Sequence, residues 1–558
     1  MPLDDLGVHP PTPLDELRPA QPLRAQAGTG GRPRLAVVAA VGLAVAVGLV
    51  ARFLTVSPMW LDEALTVNIA RLPLGELLEA LRHDGAPPLY YLVLHGWMDM
   101  AGTGDVAARA LSGLLSVASL PLMWAAGRRL ADEQARGMAT GTAPGTRRWV
   151  PWAAVLLLAS SPFAIRYATE ARMYALVVLL VLAGFLALDT LLQRRAPRAA
   201  VVLAVATGLL FLTHYWSFFL VAAVAALLGR RLRDADPVRR AGARRALPAM
   251  AAGSLFFLPW LPSFVEQMTA TGTPWAGPPR PRAFFDVVLQ FAGGFSDTSL
   301  PLGLLLYGLL ALGVFGIATG AAGAGLITLD LRGRPPGRTL AAAAAVTMVL
   351  AIVVGRITGA AFAIRYAAVV LPLVLLLAAL GTSILAGTRT GPAVLSLAVV
   401  LGFVTAIPHM AGDRTSAARV AAALRAEARP GDVVAYCPDQ LGPSVSRLLR
   451  GESVQGGPAS DLVQVTFPRA TGPELVDWVG YEEANKAAAT APFARMLLDR
   501  AGPDRSVWVV WAPGYRTFGA KCQALLTDLR QARPQERRVL ALSTTTFERP
   551  GLVQYPPS

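Results

Sequence analysis

The sequence predicts a polytopic α-helical membrane protein that carries a small α/β domain at its C-terminal end. Three observations lead there. The 558 residues are 54% hydrophobic and only 16% charged, with a positive mean hydropathy, a balance unlike that of an ordinary water-soluble domain. Apolar runs of roughly 17–25 residues, the length that crosses a bilayer as helix, recur down to about residue 410. From Asp413 onward, shorter alternating and amphipathic stretches replace them.

Residues 1–34 are rich in Pro, Gly and charge, too poor in apolar surface to offset the entropy of ordering, and are expected to form a disordered cytoplasmic arm. The run LAVVAAVGLAVAVGLVARFL that follows is longer than a signal-peptide core and lacks a cleavage site after it, so it reads as the first transmembrane helix. About 11 crossings are expected within 35–410, centred near residues 45, 118, 155, 183, 206, 222, 254, 310, 347, 376 and 400. The two over 199–229 are short enough to be a shallow hairpin.

The net charge of +15 raises nucleic acid as a partner, but no basic patch interleaved with aromatics occurs, so nucleic acid is not expected. The basic residues lie instead in clusters between apolar segments: Arg128, Arg129, Arg147 and Arg148; Arg194, Arg195 and Arg198; Arg230 through Arg245; Arg332, Arg334 and Arg338. With the N-terminus inside, every cluster falls on the cytoplasmic side. The external face then receives residues 55–105, 160–172, the THYWS turn, 263–299, GRITGAAFAIRY and everything after about 410.

Residues 411–558 are expected to be an external α/β domain, with helix-like SAARVAAALRAEA and CQALLTDLRQA and strand-like DVVAYCP and RSVWVVWAP. The two cysteines, Cys437 and Cys522, both lie in it. An external compartment permits a disulfide, and two buried thiols are the alternative.

Candidate chemistry gathers at the external ends of the spans, where a membrane-embedded site opening outward needs its polar groups. In SPMWLDEALTVNIARL, Asp62 and Glu63 are adjacent and so point about 100° apart on a helix. One carboxylate can face a cavity while the other supports the helix start. The plainer reading is that both cap an amphipathic surface helix built on Leu65, Ile69, Leu72, Leu77, Leu78 and Leu81. In RHDGAPPLYYLVLHGW, Gly85, Pro87 and Pro88 break one helix and start another, leaving His83 and Asp84 at the turn and Tyr90, Tyr91 and Trp97 at interfacial depth. SPFAIRYATEARMYAL spaces Arg166, Glu170 and Tyr174 four apart and adds Arg172; the pattern fits a local ion pair, or guanidinium forks for a lipid phosphate. THYWS places His214 at a hairpin tip, and GRITGAAFAIRY places Arg365 and Tyr366 at a span end, against the positive-inside trend. A carboxylate base with several arginines at membrane depth fits transfer from a lipid-linked phosphate to a hydroxyl.

In their order, WLDEA, HDGAPPLYYLVLHGW, SPFAIRYATEARMYAL, THYWSFFL and RYAAVVLPL resemble membrane glycosyltransferases of the GT-C fold, in the group of protein O-mannosyltransferases and aminoarabinose transferases. The resemblance covers about residues 35–410. It implies a polyprenyl-phosphate-linked sugar donor, an acceptor on the external side of the cell membrane and inversion in one displacement. It implies Asp62 as the acceptor base with Glu63 beside it, matches His83 and Asp84 ahead of its Pro-Pro-Leu element, and implies Arg166, Arg172, Tyr174, Arg365 and Tyr366 as donor-phosphate contacts; His83, Asp84, Tyr90 and His214 are the expected substrate contacts. The acceptor, whether glycan, lipid or protein, is left open, because the 413–558 tail departs from both groups. Its Trp478, Trp508, Trp511 and Tyr515 suit sugar stacking or core burial. Some enzymes of this fold use a divalent cation, for which Asp62, Glu63 and Asp84 would offer oxygens to Mg or Mn. With four arginines at hand, no obligatory metal is expected. The competing class is a transporter or flippase of lipid-linked saccharides, which calls for broken helices and charge at the bilayer midplane.

Overall fold

The computed structural model describes residues 35–137, 144–271, 277–316, 335–359, 362–386, 390–452 and 461–557. The expected N-terminal arm, Arg332 and Arg334 lie outside the described residues. Two units divide the chain after residue 43, and of the first only the opening of one helix is described.

Helix α1 (Leu35–Ala51) is followed by three short helices, α2 (Leu61–Ala70), α3 (Leu74–Asp84) and α4 (Leu89–Ala101), and then by α5 (Asp105–Gly137) and α6 (Pro144–Ala159). The chain continues through α7 (Pro162–Ala168), α8 (Tyr174–Gln193), α9 (Pro197–Thr213), α10 (Ser217–Arg231), α11 (Pro237–Ser254), α12 (Leu261–Ala270) and α13 (Ala283–Phe291). The last helices of this part are α14 (Leu300–Phe315), α15 (Pro335–Thr358), α16 (Leu371–Ile384) and α17 (Thr390–Ala411). Every centre expected from the apolar runs falls in one of these helices.

Length and composition support fewer crossings than the sequence suggests. Among the described residues 6 helices are long and apolar enough to span a membrane, or 7 if the bent pair α6 and α7 is one span. Helices α1, α9 and α14 are apolar but shorter, and α10 has 15 residues with Arg230 and Arg231 in its last turn. The protein is thus a multi-pass membrane protein.

The α6–α7 break of 54° has a local cause. Ser161 accepts from Ala164 N and Pro162 sits at the first helical position, so a new helix starts there. At the end of α6 the fully buried Arg52 donates to the carbonyls of Leu158 and Ala159, at 2.8 and 3.0 Å, the former shared with Ser161 N. Helix α1 reaches them because residue 48 is glycine; a Cβ there would lie 2.6 Å from Ala159 O. At the centre, α16 and its preceding 3₁₀ turn are 94% buried over their apolar window, which puts Arg365 and Tyr366 at the mouth of the bundle's innermost helix.

The loop after α1 departs from expectation in one respect. The expected surface helix is two helices, and α2 is buried along almost its whole length. Leu65 and Ile69 share an apolar cluster with Leu77 and Leu81 of α3, and with residues from the C-terminal part such as Val433 and Phe467. Helix α3 ends where the sequence places its break, with Gly85 in the left-handed region at φ 80°.

The C-terminal part comprises α18 (Ala417–Glu427), β1 (Val433–Cys437), α19 (Gly442–Leu449), β2 (Val463–Thr466), α20 (Tyr481–Ala487), α21 (Thr490–Ala501), β3 (Val507–Trp511), α22 (Lys521–Ala532), β4 (Arg537–Leu540) and β5 (Gly551–Tyr555). The sheet order is β2-β1-β3-β5-β4. Strands β2, β1 and β3 run parallel, and β5 and β4 add antiparallel to one edge. Covered by helices on both faces, β1 and β3 are continuous apolar runs rather than alternating ones. Cys437, at the end of β1, is bonded to Cys522 of α22, with Cα atoms 5.5 Å apart. Trp508 and Trp478 are buried, while Trp511 and Tyr515 are partly covered.

Candidate active site

Helix α2 begins at Leu61, so Asp62 and Glu63 stand in its first turn and diverge by the helical angle. Their surroundings differ completely. Glu63 is fully buried in a fork from Arg109 of α5, with Nε and Nη2 each 2.7 Å from one oxygen. Ala171 N donates to Oε1 at 3.0 Å and Arg414 Nη1 to Oε2 at 3.4 Å. Burial raises the Glu63 pKa, but the charge and hydrogen bonds of Arg109, with Arg414 and Ala171 N, outweigh it and hold the carboxyl below its ordinary value. Arg414 also binds Thr169 O and Oγ1, at 3.0 and 2.7 Å, and ties the chain after α17 to the α7–α8 connection.

Asp62 faces the other way, into a second group of side chains. Its Oδ2 lies 3.1 Å from Arg365 Nη2 and 4.0 Å from Arg172 Nη2. Arg172 is held in place by Thr66 Oγ1 at 2.7 Å and Asp62 O at 3.3 Å, and its buried Nε has no partner among the described residues. Arg365 lies over the rings of Trp60 and Tyr366, at 5.8 and 5.7 Å. A chain of rings closes the cluster: Tyr167 to Tyr174 at 4.5 Å, Tyr174 to His214 at 5.8 Å, His214 to Tyr366 at 5.2 Å and Tyr366 to Trp216 at 5.8 Å. The Tyr174 hydroxyl is buried without a partner.

His214 follows the last residue of α9, at the turn the sequence indicates. Burial, then the charges of Arg172 and Arg365, push its pKa down to about 3, so the ring is neutral at pH 7. Its Nδ1 accepts from Trp216 N at 3.1 Å, which leaves the ring proton on Nε2. Asp84 approaches the same group: Tyr91 donates to its Oδ2 at 2.8 Å, and burial raises its pKa despite the opposing charge of Arg172.

The remaining expected contacts are engaged elsewhere. His83 Nδ1 lies 2.9 Å from Asp477 Oδ1 and its carbonyl accepts from Trp478 N, so it fastens α3 to the C-terminal part. Tyr90 points its hydroxyl to Ser112, 2.8 Å away; the next residue, Tyr91, is the one that reaches Asp84. Arg166 pairs with Glu170 at 3.2 Å, close enough to Arg365 for their charges to oppose. Sequence reasoning missed Trp60, Thr66, Arg109 and Arg414. Trp60 stands inside the quoted WLDEA stretch, but the two arginines come from 46 and 351 residues away and carry no local signal.

Asp62, Glu63 and Asp84 do not fit a divalent cation jointly. Both oxygens of Glu63 are occupied, and Asp62 is paired with arginine. Among the described residues no group of three or more His, Cys, Asp or Glu is placed to hold a metal ion.

These features define a polytopic membrane protein with its polar cluster where the first loop meets the ends of later helices. No family model and no curated protein matches the sequence. Solved structures do: ArnT from Cupriavidus metallidurans bound to undecaprenyl phosphate matches with a TM-score of 0.52 and 15% identity over 93% of this chain and 98% of that one. The apo state of the same protein gives a TM-score of 0.54 and 14% identity, with the same coverage. At this identity the likeness is one of fold.

Proposed function

We propose that the protein is a membrane glycosyltransferase that moves a sugar from a polyprenyl-phosphate donor to a hydroxyl of a cell-envelope acceptor on the external face. The observation that carries this reading is the single carboxylate of Asp62 set against Arg365 and Arg172. It occurs on the fold of a protein solved with undecaprenyl phosphate bound.

The chemistry follows from charge. Asp62 takes the proton of the acceptor hydroxyl as its oxygen attacks the anomeric carbon. The bond from that carbon to the phosphate oxygen breaks with inversion, and the electron pair leaves with the lipid phosphate. Arg172 and Arg365 lie close enough to Asp62 to stabilise the growing phosphate charge next to the base. A protonated leaving group is not needed, so no second carboxylate acts as an acid, and Glu63 serves as support. The Arg172 Nε and Tyr174 hydroxyl, without a partner among the described residues, offer further donors to the phosphate, and the rings of Tyr366 and His214 pack beside Tyr174. In this reading arginines, and no obligatory metal, neutralise the phosphate.

The bent α6–α7 pair is the one feature that favours a transporter or flippase. Its bend, however, delivers Thr169 to Arg414 and Ala171 to Glu63, a fixed arrangement rather than a moving gate. Membrane vesicles carrying the protein, supplied with lipid extract of the source cells labelled in its sugar headgroup, separate the readings. Transferase activity moves label from lipid to an acceptor and is lost in Asp62→Asn; label that only changes leaflet, unaffected by Asp62→Asn, overturns the proposal.

A further inference from the structure

The connection between β4 and β5, residues 541–550, reaches from the sheet to the start of α2. Trp60, which precedes α2, provides no side-chain cap. Glu548 provides one: its Oε1 accepts from Leu61 N at 2.7 Å, across 487 residues. Glu548 is itself firmly held. Its backbone N donates to Arg414 O at 3.0 Å, its carbonyl accepts from Ser416 N at 3.2 Å and from Thr546 Oγ1 at 2.6 Å, and Ser444 lies 3.5 Å from Oε2. The side chain is almost completely buried.

One residue earlier, Phe547 is 72% exposed, so core burial does not account for its position. Its ring meets Trp60 edge-on at 5.4 Å, and Trp60 in turn lies under the guanidinium of Arg365. Two neighbouring residues of one connection thus touch the two residues that precede Asp62.

We infer that the β4–β5 connection completes the active site, with Glu548 as a positioning residue that fixes the first turn of α2 and thereby the Asp62 carboxylate. The inference rests on the reading of Asp62 as the base. Asp62 is the second residue of α2, so a frayed first turn displaces its carboxylate, and a reacting group must be held to about half an ångström to work well. Burial also suits this role. It pushes the Glu548 pKa up to about 8, with Asp62 adding to the rise and Thr415, Leu61 N and Ser444 opposing it. At neutral pH the cap is therefore mostly protonated and sets no second full charge beside the base, while Oε1 still accepts from Leu61 N.

Four measurements on full-length protein in detergent test this: amide exchange over 58–66, thermal stability, affinity for undecaprenyl phosphate, and kcat and KM with labelled source-cell lipid extract. Glu548→Ala should speed exchange at Leu61 and its neighbours about tenfold and lower kcat about tenfold, as loss of a cap and of alignment implies. Undecaprenyl phosphate affinity should stay within about twofold, since no donor-phosphate group has been removed. Glu548→Gln keeps the accepting oxygen and should restore both exchange and kcat to within about twofold. Unchanged exchange and kcat in Glu548→Ala overturn the inference. So does a Glu548→Gln variant as poor as Glu548→Ala, or a Glu548→Ala variant in which thermal stability, affinity and kcat fall together, which marks a general structural role. Full turnover in Asp62→Asn removes the base assignment beneath the inference, whereas an inactive Asp62→Asn beside a normal Glu548→Ala removes the inference alone.

Discussion

The surroundings of two adjacent residues, Asp62 and Glu63, differ as a site differs from a framework. Around Glu63 each oxygen accepts two hydrogen bonds, from Arg109, Ala171 and Arg414, and the carboxylate is fully buried. Around Asp62 the salt bridges lie at 3.1 and 4.0 Å, and buried donors on Arg172 and Tyr174 stand unmatched among the described residues. Buried polar groups are normally paired, and those that are not call for an explanation. Satisfaction, rather than the presence of charge, therefore separates Glu63 from the proposed base, Asp62. Each oxygen of the first accepts two hydrogen bonds; the second lies near donors of Arg172 and Tyr174 that have no partner among the described residues.

The contrast breaks most readily at Asp62. Asp62→Asn should lower transfer by about 10²–10⁴-fold, the usual worth of a positioned base, with an unchanged unfolding midpoint. Near-normal turnover in the folded variant would erase the distinction. Glu63→Ala should do the reverse and act on the fold: leaving Arg109 and Arg414 buried and unpaired costs about 3–5 kcal/mol, read as a lower unfolding midpoint and less folded protein in detergent. A Glu63→Ala protein as stable as the parent would place that network outside the framework.

A smaller effect is expected at Arg365, a proposed phosphate contact. Arg365→Ala removes one charge-assisted contact and should weaken undecaprenyl phosphate binding about tenfold by titration, with less effect on acceptor affinity. Unchanged binding would leave Arg365 as a mere counter-charge for Asp62. The smallest effect is a slope with pH. Glu548 has its pKa raised to about 8 from 4.5, so between those values the folded protein holds a proton that the unfolded chain has released. Stability from this group falls as pH rises through that window. Glu548→Gln should therefore gain in unfolding midpoint over the parent from pH 4.5 to 8, and parallel curves would show that no such proton is held. Asp439, raised to about 7 mainly by burial, contributes with the same sign and is untouched by this substitution.

Much of the fold was legible because its causes are local. Apolar length marks helices, Gly85 with Pro87 and Pro88 marks the α3–α4 break, and VVAYC and VWVVW mark the buried parallel strands. The burial of α2 was not legible, since the surface that covers it comes from residues hundreds of positions later. At the site, Asp62, Arg172, Tyr174, His214, Arg365 and Tyr366 stood out because each is polar at the end of an apolar run, and the structure sets them together. Tyr90 and Tyr91 are neighbours in one motif, and only the helical phase of α4 decides which reaches Asp84. His83 looked like a ligand contact for want of Asp477, its partner 394 residues away.

The contact between Leu61 and Glu548 also has a meaning in time. The ribosome makes residue 61 first and residue 548 only 487 residues later, a delay of about 25–100 s at roughly 5–20 residues per second. During that interval the first loop is already translated, yet the start of α2 lacks its cap and Glu63 lacks Arg414. If Asp62 acts as proposed, a nascent chain enters the membrane with that base unassembled, and so does any chain truncated before residue 548. On the reading of Asp62 as the base, competence waits for residue 548.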